Sequence, residues 1–141
     1  MDTVYIMVFG SNEAGRHGKG AARDASRMWG AIYRVGSGPQ GRAFGIPTKD
    51  KDLRPLSLPL IAVSVKAFLV YATAHPENTY LVTRIGCGLG GKTNEEMAPM
   101  FIGAPANCFF DPEWAAWGLK SWIRSPNEIA AAQKKRQLSL F

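Results

Sequence analysis

"VFGSNEAGRHGKGAARDA", residues 8–25, decides how this chain is read. An apolar run ends at Gly10, glycine recurs at 15, 18 and 20, and small residues follow. The run before it, "TVYIMVF" at 3–9, is β-branched and aromatic, as a buried strand requires. "GAARDASRMW" at 20–29 suits a helix that starts inside the glycine loop. A strand, a glycine loop and a helix in that order present backbone N–H groups and the helix dipole to a phosphate. The loop is not a Walker A loop, because Gly20 follows Lys19 where that motif needs Ser or Thr.

Working outward, the same alternation continues. "GRAFGIPT" at 41–48, "YLVTRIG" at 80–86 and "ANCFF" at 106–110 read as further strands. "LPLIAVSVKAFLVYATA" at 58–74 reads as a buried helix: Lys66 sits in its middle and it is too short to span a bilayer comfortably. "TNEE" at 93–96 offers a capping box, Thr93 with Glu96. Ser125, Pro126 and Glu128 open a last helix, expected to be exposed and to lead into a free tail, "QLSLF". Strands alternating with helices imply an α/β domain with a mostly parallel sheet, whose ligands bind at the carboxyl ends of the strands.

Composition narrows the class. The chain has 141 residues, 46% of them apolar, enough for one domain with a real core. A net charge of +6 favours an anionic partner, or serves only solubility. Cys87 and Cys108 can make neither a disulfide framework nor a four-ligand zinc site, so no metal is expected. Asp2 stands where a signal peptide needs bases, and a cytoplasmic protein without a membrane partner is expected.

A second glycine loop, Gly86-Cys87-Gly88-Leu89-Gly90-Gly91, follows a strand and precedes a helix. It matches G-x-G-x-x-G formally, but it comes too late in the chain for a dinucleotide-binding half. Two such loops at one sheet edge suit a diphosphate held from both sides. On residues alone, the alternative that each is merely a tight turn stays open.

Three motifs stand in register: "NEAGRHGKGA" at 12–21, "IPTK" at 46–49 and "IGCGLGG" at 85–91. Together they resemble the macrodomains, the ADP-ribose-binding fold. Within that fold they are most similar to the branch holding DNA ADP-ribosyl glycohydrolase antitoxins and terminal ADP-ribose glycohydrolases. The resemblance covers roughly residues 4–110 and implies a three-layer α/β/α fold with a central mixed sheet, shortened at its N-terminus, over 1–124. It implies that Asn12 contacts the distal ribose and that Lys49 acts on it, the two forming the catalytic pair. Gly18, Lys19, Gly20 and Ala21 would wrap the phosphates from one side. Gly86, Cys87, Gly88, Leu89, Gly90 and Gly91 would do so from the other. The implied activity is removal of ADP-ribose from DNA without a cofactor; the implied alternative is a reader that binds ADP-ribose and does not cut it. The chain departs from the family at Gly90, where one variant has aspartate, and at Lys92, Thr93 and Asn94, where the antitoxins carry an aspartate after the glycines.

The chemistry asks for a bond to be broken at the anomeric carbon through an oxocarbenium-like transition state. A lysine amine attacks that carbon only when neutral, which partial burial and nearby positive charge favour. Asp50 would oppose this if it faced Lys49. Glu13 and His17 are spare acid–base candidates, each read first as a solvated loop residue; Phe109 or Phe110 is a candidate for stacking on adenine, with one of the two expected in the core.

The last five residues, Gln137, Leu138, Ser139, Leu140 and Phe141, resemble the peptide by which bacterial polymerase and repair proteins dock on the DNA sliding clamp. Residues 125–141 are accordingly expected to be a helix and flexible tail carrying that peptide, behind which Lys134, Lys135 and Arg136 face acids or DNA. A clamp-blocking interaction protein is the third implied reading. The two resemblances combined point to a phage or bacterial protein countering ADP-ribosylating toxins.

Overall fold

A computed structural model describes residues 3–139, with the side chain of Ser139 left out. The strands are β1 (Val4–Asn12), β2 (Gly38–Gln40), β3 (Ala43–Lys49), β4 (Asn78–Val82) and β5 (Cys108–Phe110). The helices are α1 (Gly20–Met28), α2 (Leu58–Ala74), α3 (Asn94–Met97) and α4 (Pro126–Ser139). One five-stranded sheet runs β2-β3-β1-β4-β5. β1 lies in the middle, parallel to β3 and β4, and β5 is parallel to β4. Only the short edge strand β2 is antiparallel. The fold is therefore α/β with a mixed, mostly parallel sheet, as the alternating pattern requires.

Side-chain alternation along the strands divides the core in two. Val8, Ile46, Tyr80, Val82 and Phe110 face α2, α3 and the 3-10 turn after it. Met7, Phe9, Ala43 and Leu81 face α1 and α4. Both sheet faces are covered, which is why the central strands read as continuous apolar runs.

Two sequence expectations change. Helix α2 is not buried all round. Ile61, Val65, Phe68 and Ala72 form one stripe against the sheet, while Leu60, Val63 and Val70 are 57%, 68% and 63% exposed. The sheet has only one face to offer it, and nothing covers its outer side among the described residues. Helix α4 is not merely exposed: Ile129 and Ala130 are buried in the second core. It begins in the expected capping box, Ser125 Oγ accepting from the Glu128 N–H at 3.2 Å and Glu128 Oε1 from the Ser125 N–H at 3.3 Å. It then continues through Gln137 and Leu138 to Ser139, so the first part of the terminal peptide is helical rather than extended. Leu140 and Phe141 lie outside the described residues. Trp114 is fully buried, and Trp117 and Trp122 pack on the first and second core respectively. No helix among the described residues is long and apolar enough to cross a membrane.

Candidate ligand-binding site

The first loop leaves β1 at a bulge between Ser11 and Asn12. Asn12 closes it on itself: Oδ1 accepts from the Arg16 N–H and Nδ2 donates to the Arg16 carbonyl, both at 2.9 Å. Its amide keeps one hydrogen and one lone pair for a ligand. His17 is buried, its Nε2 facing the carbonyls of Ile32 and Val35 at 3.0 and 3.1 Å. It ties the loop to the following segment and packs edge-on against Phe9, so it is a structural residue and not an acid–base group of the cleft. The chain then enters α1. Its N-cap is Lys19, in extended conformation, with no side-chain cap and no acid in the first turn. The first N–H groups of α1 therefore lack a side-chain partner, the condition under which a helix start binds an anion.

The second loop is a tight turn closed by the Lys92 N–H on the Gly86 carbonyl at 2.8 Å. The following helix does not add a second anion site. α3 has only four residues, and Thr93 and Glu96 satisfy its start in the expected capping box. This loop offers backbone alone, not a helix dipole.

The two loops touch. A Cβ on Gly10 would lie 3.3 Å from the Gly86 nitrogen, and one on Gly20 would lie 3.4 Å from Leu89 Cδ1. Between them opens a cavity of about 700 Å³. Gly18, Lys19, Gly20 and Ala21 line it from the first loop, and Gly86, Gly88, Leu89 and Gly90 from the second. Asn12 and Lys49 line it from the adjacent ends of β1 and β3, where they are register partners. Cys87 and Gly91 do not line it. The Cys87 thiol is turned to the Ile85 carbonyl at 3.6 Å, and burial pushes its pKa up. Gly91 sits in the turn, its N–H on the Gly88 carbonyl.

Asp50 does not face Lys49. Its Oδ1 accepts from the N–H groups of Asp52 and Arg54 at 2.8 and 2.9 Å, so the carboxylate folds into its own turn. That turn holds Leu53, also at the cavity wall, at a φ of 62°, a strained conformation for a leucine. Phe110 is buried in the core, and Phe109 carries Lys120 Nζ over its ring at 4.5 Å. Neither lines the cavity, and Glu13 does not either.

The sequence reading missed Arg16, Thr48, Leu53, Thr83, Arg84 and Asp111 as lining residues. Arg16 lies within the quoted loop and could have been marked. Arg84 and Asp111 meet only because β4 and β5 are neighbours. Arg84 bridges to Glu113 at 3.3 Å and to Asp111 at 4.0 Å, and donates to Asn94 Oδ1 at 3.3 Å. Around the cavity Arg16, Lys19, Lys49 and Arg84 stand against Asp111 alone, so the described wall is cationic.

Comparison with known proteins finds no matching family model and no matching curated protein. Two solved structures from Bacteroides thetaiotaomicron share the fold. One, a protein of unknown function, is 19% identical, with a TM-score of 0.52 over 72% of this chain and 80% of its own. The other is 19% identical, with a TM-score of 0.50 over 79% and 91% respectively.

Proposed function

We propose that the cavity binds ADP-ribose, its pyrophosphate lying between the two loops, and that the protein removes ADP-ribose from DNA. One observation carries this: two glycine turns and the uncapped start of α1 meet on one cationic cavity, with Lys49 at its β3 end. Backbone N–H groups and a helix start favour phosphate oxygens. With the pyrophosphate there, the distal ribose extends to Asn12 and Lys49. Hydrolysis breaks the bond from the anomeric carbon to the base nitrogen; water adds to the carbon, and the base leaves with a proton. Lys49 acts as the neutral amine: it attacks that carbon as the base leaves, and water then displaces the amine to give free ADP-ribose. The test is incubation with an ADP-ribosylated DNA oligomer. Release of free ADP-ribose, lost in Lys49→Ala, is the expected result; no release by the unaltered protein rejects the hydrolase.

A specific observation favours a second reading, a reader without turnover. The one carboxylate of the described wall, Asp111, belongs to the β5 side of the sheet, two strands beyond β1, and the Asp50 carboxylate is taken up in its own turn, so no acid of the described wall stands on the β3 side with Lys49. Calorimetry showing ADP-ribose binding without product would establish it. The third proposal, docking of the terminal peptide on a sliding clamp, has support from exposed Gln137 and Leu138 at the end of α4. The last turn would unwind so that Leu138, Leu140 and Phe141 enter an apolar groove. Deleting Gln137 to Phe141 abolishes clamp capture if this is right.

A further inference from the structure

The turn after β3 is built to hold one leucine at the wall of the loop cavity. Lys49 ends β3 and bridges to Pro55, so residues 50–54 make a short closed excursion. The Asp50 N–H donates to the Arg54 carbonyl at 2.8 Å, the Leu53 N–H to the Asp50 carbonyl at 3.1 Å and the Leu56 N–H to the Thr48 carbonyl at 2.9 Å. With the Asp50 carboxylate accepting from Asp52 and Arg54, the backbone that carries Leu53 is held from both ends and from within.

Leucine is a poor residue for that place. Its φ of 62° is one that glycine or asparagine adopts with little strain and leucine does not. Packing does not offset the strain, since Leu53 is 40% exposed and part of neither core. Backbone strain of this kind gathers at ligand clamps. Leu53 lines the cavity from the β3 side, with Thr48 and Lys49, while Leu89 lines it from the loop after β4, on the other side of β1. What Leu53 would touch follows from the ADP-ribose reading above, on which this step rests. There the anomeric carbon lies at Lys49, and the group bonded to that carbon extends past Lys49 towards the turn. A nucleobase presents a flat, largely apolar face; a carboxylate or hydroxyl of a protein side chain presents none. Thr48 is buried and bonded to the Ser11 carbonyl, and the Lys49 amine is taken up at the sugar, which leaves Leu53 to cover such a face. We infer that Leu53 sets the substrate class: its side chain packs on the DNA base that carries the ADP-ribose.

The test compares the affinities of two ligands, free ADP-ribose and an ADP-ribosylated single-stranded DNA oligomer, by calorimetry on the full chain. Lys49→Ala is the parent, because it keeps the oligomer intact, with Lys49→Met as a second parent that retains the side-chain stem. Each parent is expected to prefer the oligomer. Adding Leu53→Asn is expected to cut that preference roughly fivefold or more, the scale of one partly covered leucine side chain. It is expected to leave the melting temperature equal or higher, because asparagine accepts this φ. Adding Leu89→Asn instead is expected to weaken both ligands together and keep the preference. If the unaltered protein does not bind ADP-ribose, the ADP-ribose reading fails and this inference with it. If it does bind, any of four results overturns the inference alone. They are no preference for the oligomer in either parent, a preference that survives Leu53→Asn, an equal loss of preference in Leu89→Asn, and a melting temperature that Leu53→Asn lowers by about 4 °C or more, which would make Leu53 a packing residue.

Discussion

Gly90 shows how a single atom sets the shape of the candidate site. A Cβ there would lie 2.7 Å from the Gly86 oxygen and 2.8 Å from its α-carbon, both backbone atoms with no room to give. Any side chain at position 90 meets the backbone of Gly86 in this turn as it is folded, so glycine is required there. Gly90→Ala is expected to cost about 1–3 kcal/mol, the usual penalty of overpacking, and to weaken ADP-ribose binding at least tenfold. Urea denaturation and calorimetry on the same variant check both. Cys108 gives a residue-scale prediction in pH. Burial pushes its thiol from 9.0 to about 12, so the folded protein keeps that proton where the unfolded chain has lost it. The folded form then binds more protons than the unfolded, and stability must fall as pH rises above about 9. The contribution is fully present below the unfolded value and declines by about 1.4 kcal/mol per pH unit above it. Cys108→Ala removes the titrating group. Its stability deficit against the unaltered protein is expected to shrink between pH 9 and 11, measured by denaturant unfolding.

Helix starts carry the argument at the scale of elements. α1 begins at Lys19, whose φ of −144° and ψ of 158° are those of a good N-cap, yet its side chain makes no cap bond. The helix is left with open N–H groups on the cavity, at a cost in stability that an anion offsets. Lys19→Ser supplies the missing acceptor. It is expected to stabilise the free protein by about 0.5–2 kcal/mol and to weaken ADP-ribose binding, because the donors are then occupied and a cation is gone. A rise in melting temperature together with tighter binding would contradict this account of the site. α3 is the converse case: four residues, fully capped, with nothing to give a ligand. Both capping boxes were legible, since Thr93 with Glu96 and Ser125 with Glu128 carry their partners at fixed spacing. Four of the five strands were legible too, because β1, β3 and β4 alternate apolar residues between two covered faces and β5 is aromatic; the three-residue edge strand β2 carries no such pattern. What local pattern does not contain is which face an apolar helix turns outward. Leu60, Val63 and Val70 look no different in sequence from Ile61, Val65 and Phe68, and only the finite width of the sheet separates them. His17 was misread for a similar reason. Its partners, the carbonyls of Ile32 and Val35, are backbone atoms that leave no mark in the residue pattern.

At the scale of the whole molecule, the site is a product of strand order. The residues that line it come from the ends of β1, β3 and β4 and from Asp111 just after β5, which adjoin only because the sheet runs β3-β1-β4-β5. Asn12 and Lys49 could be matched to motifs, but Arg84 and Asp111 could not, since no motif joins β4 to β5. A ligand bridging these ends ties together most of the sheet, and so its binding must appear in global stability. A ligand that binds only the folded state at a hundred times its dissociation constant adds about 2.7 kcal/mol. For a chain of this size that is a rise of roughly 5–11 °C in melting temperature. The unaltered protein is expected to show a shift of that order with ADP-ribose and a smaller one with adenosine, which has no pyrophosphate for the loops. Lys49→Ala separates binding from chemistry. It should keep most of the shift, because the loops and the start of α1 hold the phosphates, while losing any release of ADP-ribose from DNA. Gly90→Ala should lose about half of the shift or more, since a tenfold weaker site adds only about 1.4 kcal/mol at the same ligand concentration. Equal shifts with ADP-ribose and adenosine would mean that the two loops do not grip a pyrophosphate.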